Sequence, residues 1–355
     1  MGPDFGRDES QDAIVGLAGE VLDGNADTPE RAWKALGQAG LLTLAVPERL
    51  GGAGLGPLET ALVLTEIGRR AVPVPALATL ALGVLPVARW ASTHQQQALL
   101  AAVGEGRVLT AALAEPADPM PSLPRTTATA DWLVTGTKTG VLDAEQAHRI
   151  LVPVRTDPGT VAIAVVDPAA PGVSLRRTAS SAGTPQYTVR LDGVAAEPLG
   201  DGADGRCVAD LHRFAVAGAC AVGDGALSGA LGLTAEHVRT RHQFGRPLAT
   251  FQAVAQQIAD VYVTVRTLHL AVLAACWGIA GGRPADDDLW VAAHWLTAEA
   301  LPAVRTCHHL HGGLGLSADY PLHRLSALLR DIVGLLGGAE HCLHRLGGHV
   351  VHRPD

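Results

Sequence analysis

The sequence predicts an α+β fold that is mostly α. An N-terminal helical domain spans 1–107, a middle β domain, barrel-like, spans 108–204, and a C-terminal antiparallel four-helix bundle spans 205–355. Three observations carry this division. Apolar residues recur at helical spacing on both sides of a central segment. Within that segment the period drops to two, with β-branched residues, frequent proline and glycine, and turn signals about every eight to twelve residues. After it come four long amphipathic stretches joined by short loops, the pattern of an antiparallel bundle.

In the first domain, QDAIVGLAGEVLDG, TPERAWKALGQAG and PLETALVLTEIGRRA read as helices, with Thr28 as a cap and Pro29 in the first turn of the second. Gly51-Gly52-Ala53-Gly54 interrupts them with a loop. The predicted strands are RVLTAALAE, TTATADWLVTGTKTGVL, HRILVPVRT, TVAIAVVDP and PQYTVRLDGVAA, with turns at Asp157-Pro158-Gly159 and Pro171-Gly172. The bundle helices are expected over 208–240, 251–281, 286–311 and 322–346.

At 355 residues the chain exceeds a single core, so several domains sharing packed surfaces are expected. The N-terminus MGPDFGRDES is polar and acidic, its first three residues reading as a tag remnant. No run of roughly 18 uninterrupted apolar residues argues for a membrane span. Cys207, Cys220, Cys276, Cys307 and Cys342 are odd in number, widely spaced and set in apolar helical contexts, which predicts buried thiols and a reducing compartment, the cytoplasm. A net charge of -8 without a basic cluster argues against nucleic acid. With 48% apolar and 17% charged residues, buried surface is expected to extend to an oligomer.

The densest chemistry lies in Arg239–Val254, RTRHQFGRPLATFQAV. In helical register Arg241 closes one helix, Phe244 and Gly245 form a corner, and Gln252 opens the next helix. A guanidinium, a ring and an amide can then face one ligand, the guanidinium offering phosphate oxygens a planar fork of donors. Taken alone, the segment is equally a packing corner in which Arg241 bonds the last carbonyls of its helix.

This segment resembles the FAD-binding corner of the acyl-CoA dehydrogenase family. His309–Tyr320 (HLHGGLGLSADY), with Pro321 and Arg324, resembles the same family's Gly-Gly flavin loop, and LAVPERLGGAGLGPLETALVLTEIGR resembles its N-terminal domain. The resemblance spans nearly the whole chain and implies the helix–strand–helix order already read. It implies FAD as cofactor, with Arg241, Phe244 and Gln252 reaching the FAD of a neighbouring subunit and Gly312-Gly313 approaching its pyrophosphate and ribityl region. His309 stands where relatives commonly have glutamine. AALAEP resembles the segment that touches the flavin pyrimidine ring, which assigns Leu113 and Ala114 to cofactor contact; relatives carry threonine where Ala114 stands. In GTKTGVL, Gly140 and Leu142 replace an aromatic and a threonine, although an ordinary core strand explains that segment equally well.

The family's chemistry needs a glutamate to take a proton from the α carbon of an acyl-CoA while hydride leaves the β carbon. Of the two positions relatives use, one reads Ala339, eight residues after Asp331, and the other reads His212, before Arg213. Glu340 adjoins the first, but one residue along a helix turns a side chain by about 100°. A bend at the preceding glycines could re-aim it, and His212 could itself act as base; both could equally be surface or interface polarity. Asp210 and Arg213 correspond to the substrate-binding region. A metal site on His308, His309 and His311, or on His341 and His344, is not expected, because the flavin loop accounts for the first group.

The combination resembles the subunit of actinobacterial heterotetrameric acyl-CoA dehydrogenases that completes the FAD site of a glutamate-bearing partner. The alternatives are a self-sufficient, homo-oligomeric dehydrogenase using Glu340 or His212, a non-redox enzyme on the same fold, or a purely structural subunit. The family's usual electron acceptor is an electron-transfer flavoprotein.

Overall fold

The computed structural model describes residues 5–25, 28–157, 159–201 and 205–351. The Met-Gly-Pro start, Pro158 of the expected 157–159 turn and the expected domain boundary at Asp204 lie outside the described residues. The chain divides into two compact units. One comprises 1–15, 61–72 and 219–355; the other comprises 16–60 and 73–218.

Helices α1 (Glu9–Asp23), α2 (Pro29–Gln38) and α3 (Pro57–Arg70) lie where the sequence places them. Thr28 does precede α2, with Pro29 opening it, but the threonine side chain makes no capping hydrogen bond. Residues 77–84 form a π-helical segment running into α4 (Leu85–Trp90), and every one of those eight is buried. Pro86 lacks an N–H to offer the preceding turns, which favours the wider winding. Helix α5 (Thr93–Gly104) follows, opened by a capping box between Ser92 and Gln95.

The strands form one eight-stranded sheet. Its order is β6 (Val173–Thr178), β7 (Gln186–Ala195), β3 (Leu133–Leu142), β2 (Thr127–Ala128), β4 (Ala147–Asp157), β5 (Thr160–Val166) and β8 (Glu197–Pro198), with β1 (Val108–Ala111) paired parallel to β4. Three differences from the expected strands have physical causes. TTATADWLVTGTKTGVL is two strands, because Thr129–Trp132 make a turn with Trp132 at φ +57°. RVLTAALAE leaves the sheet after Ala111, and its last residues wrap into a turn in which Glu115 and Asp118 exchange backbone hydrogen bonds. Strand β6 was not expected: VSLRRT is an edge strand with both arginines exposed, so the apolar alternation that marks a half-buried strand is weak there. The sheet's core is aliphatic, with Val134, Ile150, Val152, Val154, Val189 and Leu191 among its buried side chains.

The second helical region holds five helices where the sequence suggested four: α6 (Arg206–Thr240), α7 (Gln252–Ala280), α8 (Asp286–His311), α9 (Leu322–Leu335) and α10 (Gly338–Val351). Gly337 and Gly338 both sit at φ +82°, and this left-handed pair breaks the last expected helix in two. Helix α6 meets α3 backbone to backbone: a Cβ on Gly225 would fall 1.9 Å from the Thr65 carbonyl oxygen, and the Thr65 hydroxyl donates to the Ala221 carbonyl at 3.2 Å. Helices α6 and α7 are each long and apolar enough to cross a membrane. The apolar stretch of α6 is 83% buried inside the fold; that of α7 is only 39% buried.

Candidate functional site

The corner between α6 and α7 is a two-residue hairpin. Strand β9 (His242–Gln243) pairs with β10 (Arg246–Pro247), and the two residues between them, Phe244 and Gly245, lie at φ +54° and +79°. The right-handed twist of a hairpin asks for two positive φ values at such a turn. Glycine meets this without strain, whereas an aromatic residue does so at a cost of about 1–2 kcal/mol. Phe244 is nevertheless 92% exposed. Its ring meets Phe251 edge-on at 6.1 Å, and the Arg246 guanidinium stacks 4.1 Å above Phe251.

Arg241 follows the last residue of α6, its N–H donating to the His237 carbonyl at 2.8 Å and its own carbonyl accepting from Leu248 at 2.8 Å. The backbone is pinned while the exposed guanidinium projects. Gln252 is the first residue of α7, also exposed. At the other end of the motif, α8 runs to His311 and gives way to a 3-10 turn, Gly312–Leu316. Gly312 has φ +58° and ψ -136°, a conformation essentially reserved for glycine. A Cβ on Gly312 or Gly313 would meet nothing within 4 Å, so the turn's outer side is open. His309, Gly312 and Gly313 are all exposed.

The structure joins the two motifs through a contact the sequence reading did not anticipate. His237, one turn before Arg241, stacks on His311, with ring centroids 4.5 Å apart and planes inclined by 20°. Burial, then His311 and Arg241, hold the His237 ring below the ordinary histidine range.

In the other unit, the segment expected to touch a flavin ring is held rigidly. The Ala114 carbonyl accepts from the Thr139 N–H at 2.9 Å, and Leu113 and Leu142 are buried. Glu115, beside Ala114, accepts from the N–H of Arg125 and from both the N–H and hydroxyl of Thr126, and pairs with the fully buried Lys138. Of the expected substrate residues, Asp210 is ion-paired with Arg89 at 2.6 Å and Arg213 at 2.9 Å, and accepts from the Trp90 indole at 3.0 Å. Here the pair visibly ties the first turn of α6 to the end of α4. Arg89 and Trp90 lie far from Asp210 in sequence, and nothing in the sequence signals the meeting.

At the two positions where the family resemblance places a base, His212 is buried in α6, and Ala339 is half-buried, its carbonyl accepting from His294 Nδ1 at 3.3 Å. Glu340 is exposed in the first turn of α10, two residues after Gly338 of the left-handed Gly337-Gly338 pair. No group of three or more side chains suited to hold a metal ion occurs among the described residues.

Residues 209–344 match the acyl-CoA dehydrogenase C-terminal domain family, and residues 7–107 match the acyl-CoA dehydrogenase N-terminal domain family. The chain belongs to the acyl-CoA dehydrogenase family. It is 44% identical to acyl-CoA dehydrogenase FadE28 of Mycobacterium tuberculosis, over 97% of this chain and 98% of that protein. It is also similar to the ChsE4–ChsE5 complex of Mycobacterium tuberculosis, at 32% identity over 99% of this chain and 100% of that one, with a TM-score of 0.91. A Tcur3481–Tcur3483 steroid acyl-CoA dehydrogenase variant aligns at 34% identity over 97% of this chain and 98% of that one, with a TM-score of 0.89. Acyl-CoA dehydrogenases are FAD-dependent oxidoreductases. The α6–α7 corner and the turn after α8 fit such a cofactor in their chemistry: an exposed guanidinium, an amide and an aromatic face at the first, open glycines at the second. Leu113, Ala114 and Leu142 offer no side-chain hydroxyl at the places where the family resemblance puts one.

Proposed function

We propose that this chain is the FAD-completing subunit of a hetero-oligomeric acyl-CoA dehydrogenase, one that serves a flavin held by a glutamate-bearing partner. The observation that carries the reading is the corner itself. Phe244 is held at positive φ and 92% exposed, beside exposed Arg241 and Gln252. A chain gains nothing by straining a turn to hold an aromatic ring in water, so the ring has its partner elsewhere. The turn at Gly313 argues the same way. Neither a positive φ nor a neighbour within the chain requires glycine there, whereas close approach of a ligand does.

Each residue then has a role. Arg241 would donate to diphosphate oxygens, Gln252 would donate an amide hydrogen bond, Phe244 would cover the adenine side, and Gly312-Gly313 with His309 would admit the backbone close to the dinucleotide. When bound, FAD supplies the acceptor for the hydride leaving the acyl β carbon. The α proton would pass to the partner's glutamate, because the matching positions here carry Ala339 and the buried His212. The half-exposed apolar face of α7, with Tyr262 and Val263 each 58% exposed, supports association with another subunit. The steroid enzyme among the similar structures supports a steroid-derived acyl-CoA as substrate. An electron-transfer flavoprotein would take up the electrons, and five buried cysteine thiols fit the cytoplasm.

Coexpression with the glutamate-bearing subunit, followed by an absorbance spectrum of each chain alone and of the complex, tests the proposal. Flavin is expected in the complex and lost when Arg241→Ala is introduced; full flavin retention by that variant defeats the reading. The Gly337-Gly338 bend and the exposure of Glu340 favour one alternative, a self-sufficient dehydrogenase. In that case the chain alone would be yellow and would bleach with an acyl-CoA.

A further inference from the structure

The Gly312–Leu316 turn is packed on histidines. His308 Nδ1 donates to the Gly315 carbonyl at 2.8 Å, and a Cβ on Gly315 would fall 3.0 Å from the His311 Cβ, so the turn lies directly against His311. The His311 ring is 4% exposed and uses both nitrogens. Its Nδ1 lies 2.7 Å from the Cys307 carbonyl, which can only accept, so Nδ1 carries a proton. Its Nε2 lies 3.0 Å from the Tyr320 hydroxyl, which donates to it while the ring is neutral. One ring thereby connects the end of α8, the far side of the turn and, through the 4.5 Å stack on His237, the end of α6.

We propose that His311 is a positioning residue for the Gly312–Gly313 turn, and that its stack on His237 makes the turn acid-labile, firm while both rings are neutral and released when both are protonated. The inference rests on the reading above only for the ligand the turn serves. Among the described residues, the groups facing the pair add no negative charge: His308 on α8, Tyr320 after the turn, Arg241 beyond α6, and the carbonyls of Cys307 and Leu233. Burial holds His311 below the ordinary range and His308 reinforces this, while the two carbonyls pull the other way. A second proton therefore places two cations face to face, with a guanidinium beside them. Their repulsion acts along the line that holds α6 against the turn.

Amide hydrogen exchange of residues 312–316 in the full chain, corrected for intrinsic rate, reads this without flavin or partner. Protection is expected at about pH 7.5 and is expected to fall about tenfold or more at an acid pH well below the ordinary histidine range. His237→Phe keeps a stacked ring without the charge and should retain protection at the lower pH. His311→Gln should be unprotected at both. Equal protection of the wild type at the two pH values, or loss in His237→Phe matching the wild type, overturns the proposal. Should His311→Gln not fold, the imidazole nitrogen shifts of the wild type decide: a neutral, Nδ1-protonated ring is expected near pH 7.5, and the other tautomer refutes it. If exchange behaves as expected while Arg241→Ala leaves flavin in the complex, the positioning role stands and only the reading of the ligand falls.

Discussion

Lys138 Nζ lies 2.9 Å from Glu115 Oε1, with 0% and 2% of the two side chains exposed. The pair staples β3 to the loop that carries Leu113 and Ala114. Burial opposes the charge on Glu115, yet the Thr126 hydroxyl, the Lys138 charge and the Thr126 N–H overcome it and hold the carboxyl at about 2. Burial lowers the Lys138 ammonium as well, and Glu115 draws it back. Removing one partner leaves the other charged and dry. Lys138→Met is expected to cost about 3–5 kcal/mol in denaturant unfolding, and the double variant with Glu115→Gln to recover most of it. A loss below about 1 kcal/mol for Lys138→Met would show that the pair carries no such role. Because the Glu115 carboxyl is depressed, its stabilisation is present above the unfolded carboxylate range and disappears only as pH falls toward about 2.

Asp143 gives the opposite sign. It follows the last residue of β3 at φ +54°, is 4% exposed, and is raised to about 6 by burial despite a 2.8 Å hydrogen bond from Gln146. The folded protein therefore binds a proton more tightly than the unfolded chain, and this residue's contribution falls as pH rises from about 4 to about 6. Asp143→Asn keeps the hydrogen-bonding shape, tolerates the left-handed backbone and needs no charge. Its expected gain is on the order of 1–3 kcal/mol at neutral pH, shrinking to nearly nothing near pH 4. Melting curves at several pH values check it, and a gain equal at all of them would show that ionisation is not the cause.

Gly225 is where α6 and α3 touch. Alanine would add helix propensity of about 1 kcal/mol, but its Cβ would sit 1.9 Å from the Thr65 carbonyl oxygen and 2.7 Å from the Arg69 nitrogen. Both are backbone atoms and cannot rotate away. Overpacking of this kind should outweigh the propensity, giving a net loss of about 2–3 kcal/mol for Gly225→Ala. Gly232, with nothing within 4 Å of a would-be Cβ, is the control. Gly232→Ala should be neutral or stabilising in the same thermal unfolding assay.

The sequence made the helical stretches, most strands and the corner between α6 and α7 legible because each announces itself locally, through periodicity, turn residues or a compact motif. Gln252 opens α7 as read, since Phe251 before it is extended. Strand β6 escaped because an exposed edge needs no apolar alternation, and the break at Gly337-Gly338 because an apolar pattern runs through it. Contacts such as Asp210 with Arg89, or His237 with His311, pair residues whose local sequences do not signal each other. Only the folded arrangement of helix ends brings them together.

Phe244 separates stability from function most cleanly. Phe244→Asn places an asparagine before Gly245, the pair that a hairpin turn with two positive φ values most favours. The isolated chain should gain about 1 kcal/mol, because the left-handed strain is relieved and a 92%-exposed ring is removed from water. In the proposed complex with a glutamate-bearing subunit the same change would remove an aromatic wall from the cofactor, and flavin affinity should fall about tenfold or more, the worth of one buried ring contact. Unfolding of the chain alone and flavin titration of the complex give the two readings. If flavin binding is unchanged while stability rises, the strained ring has no cofactor role, and the assignment of this corner loses its main support.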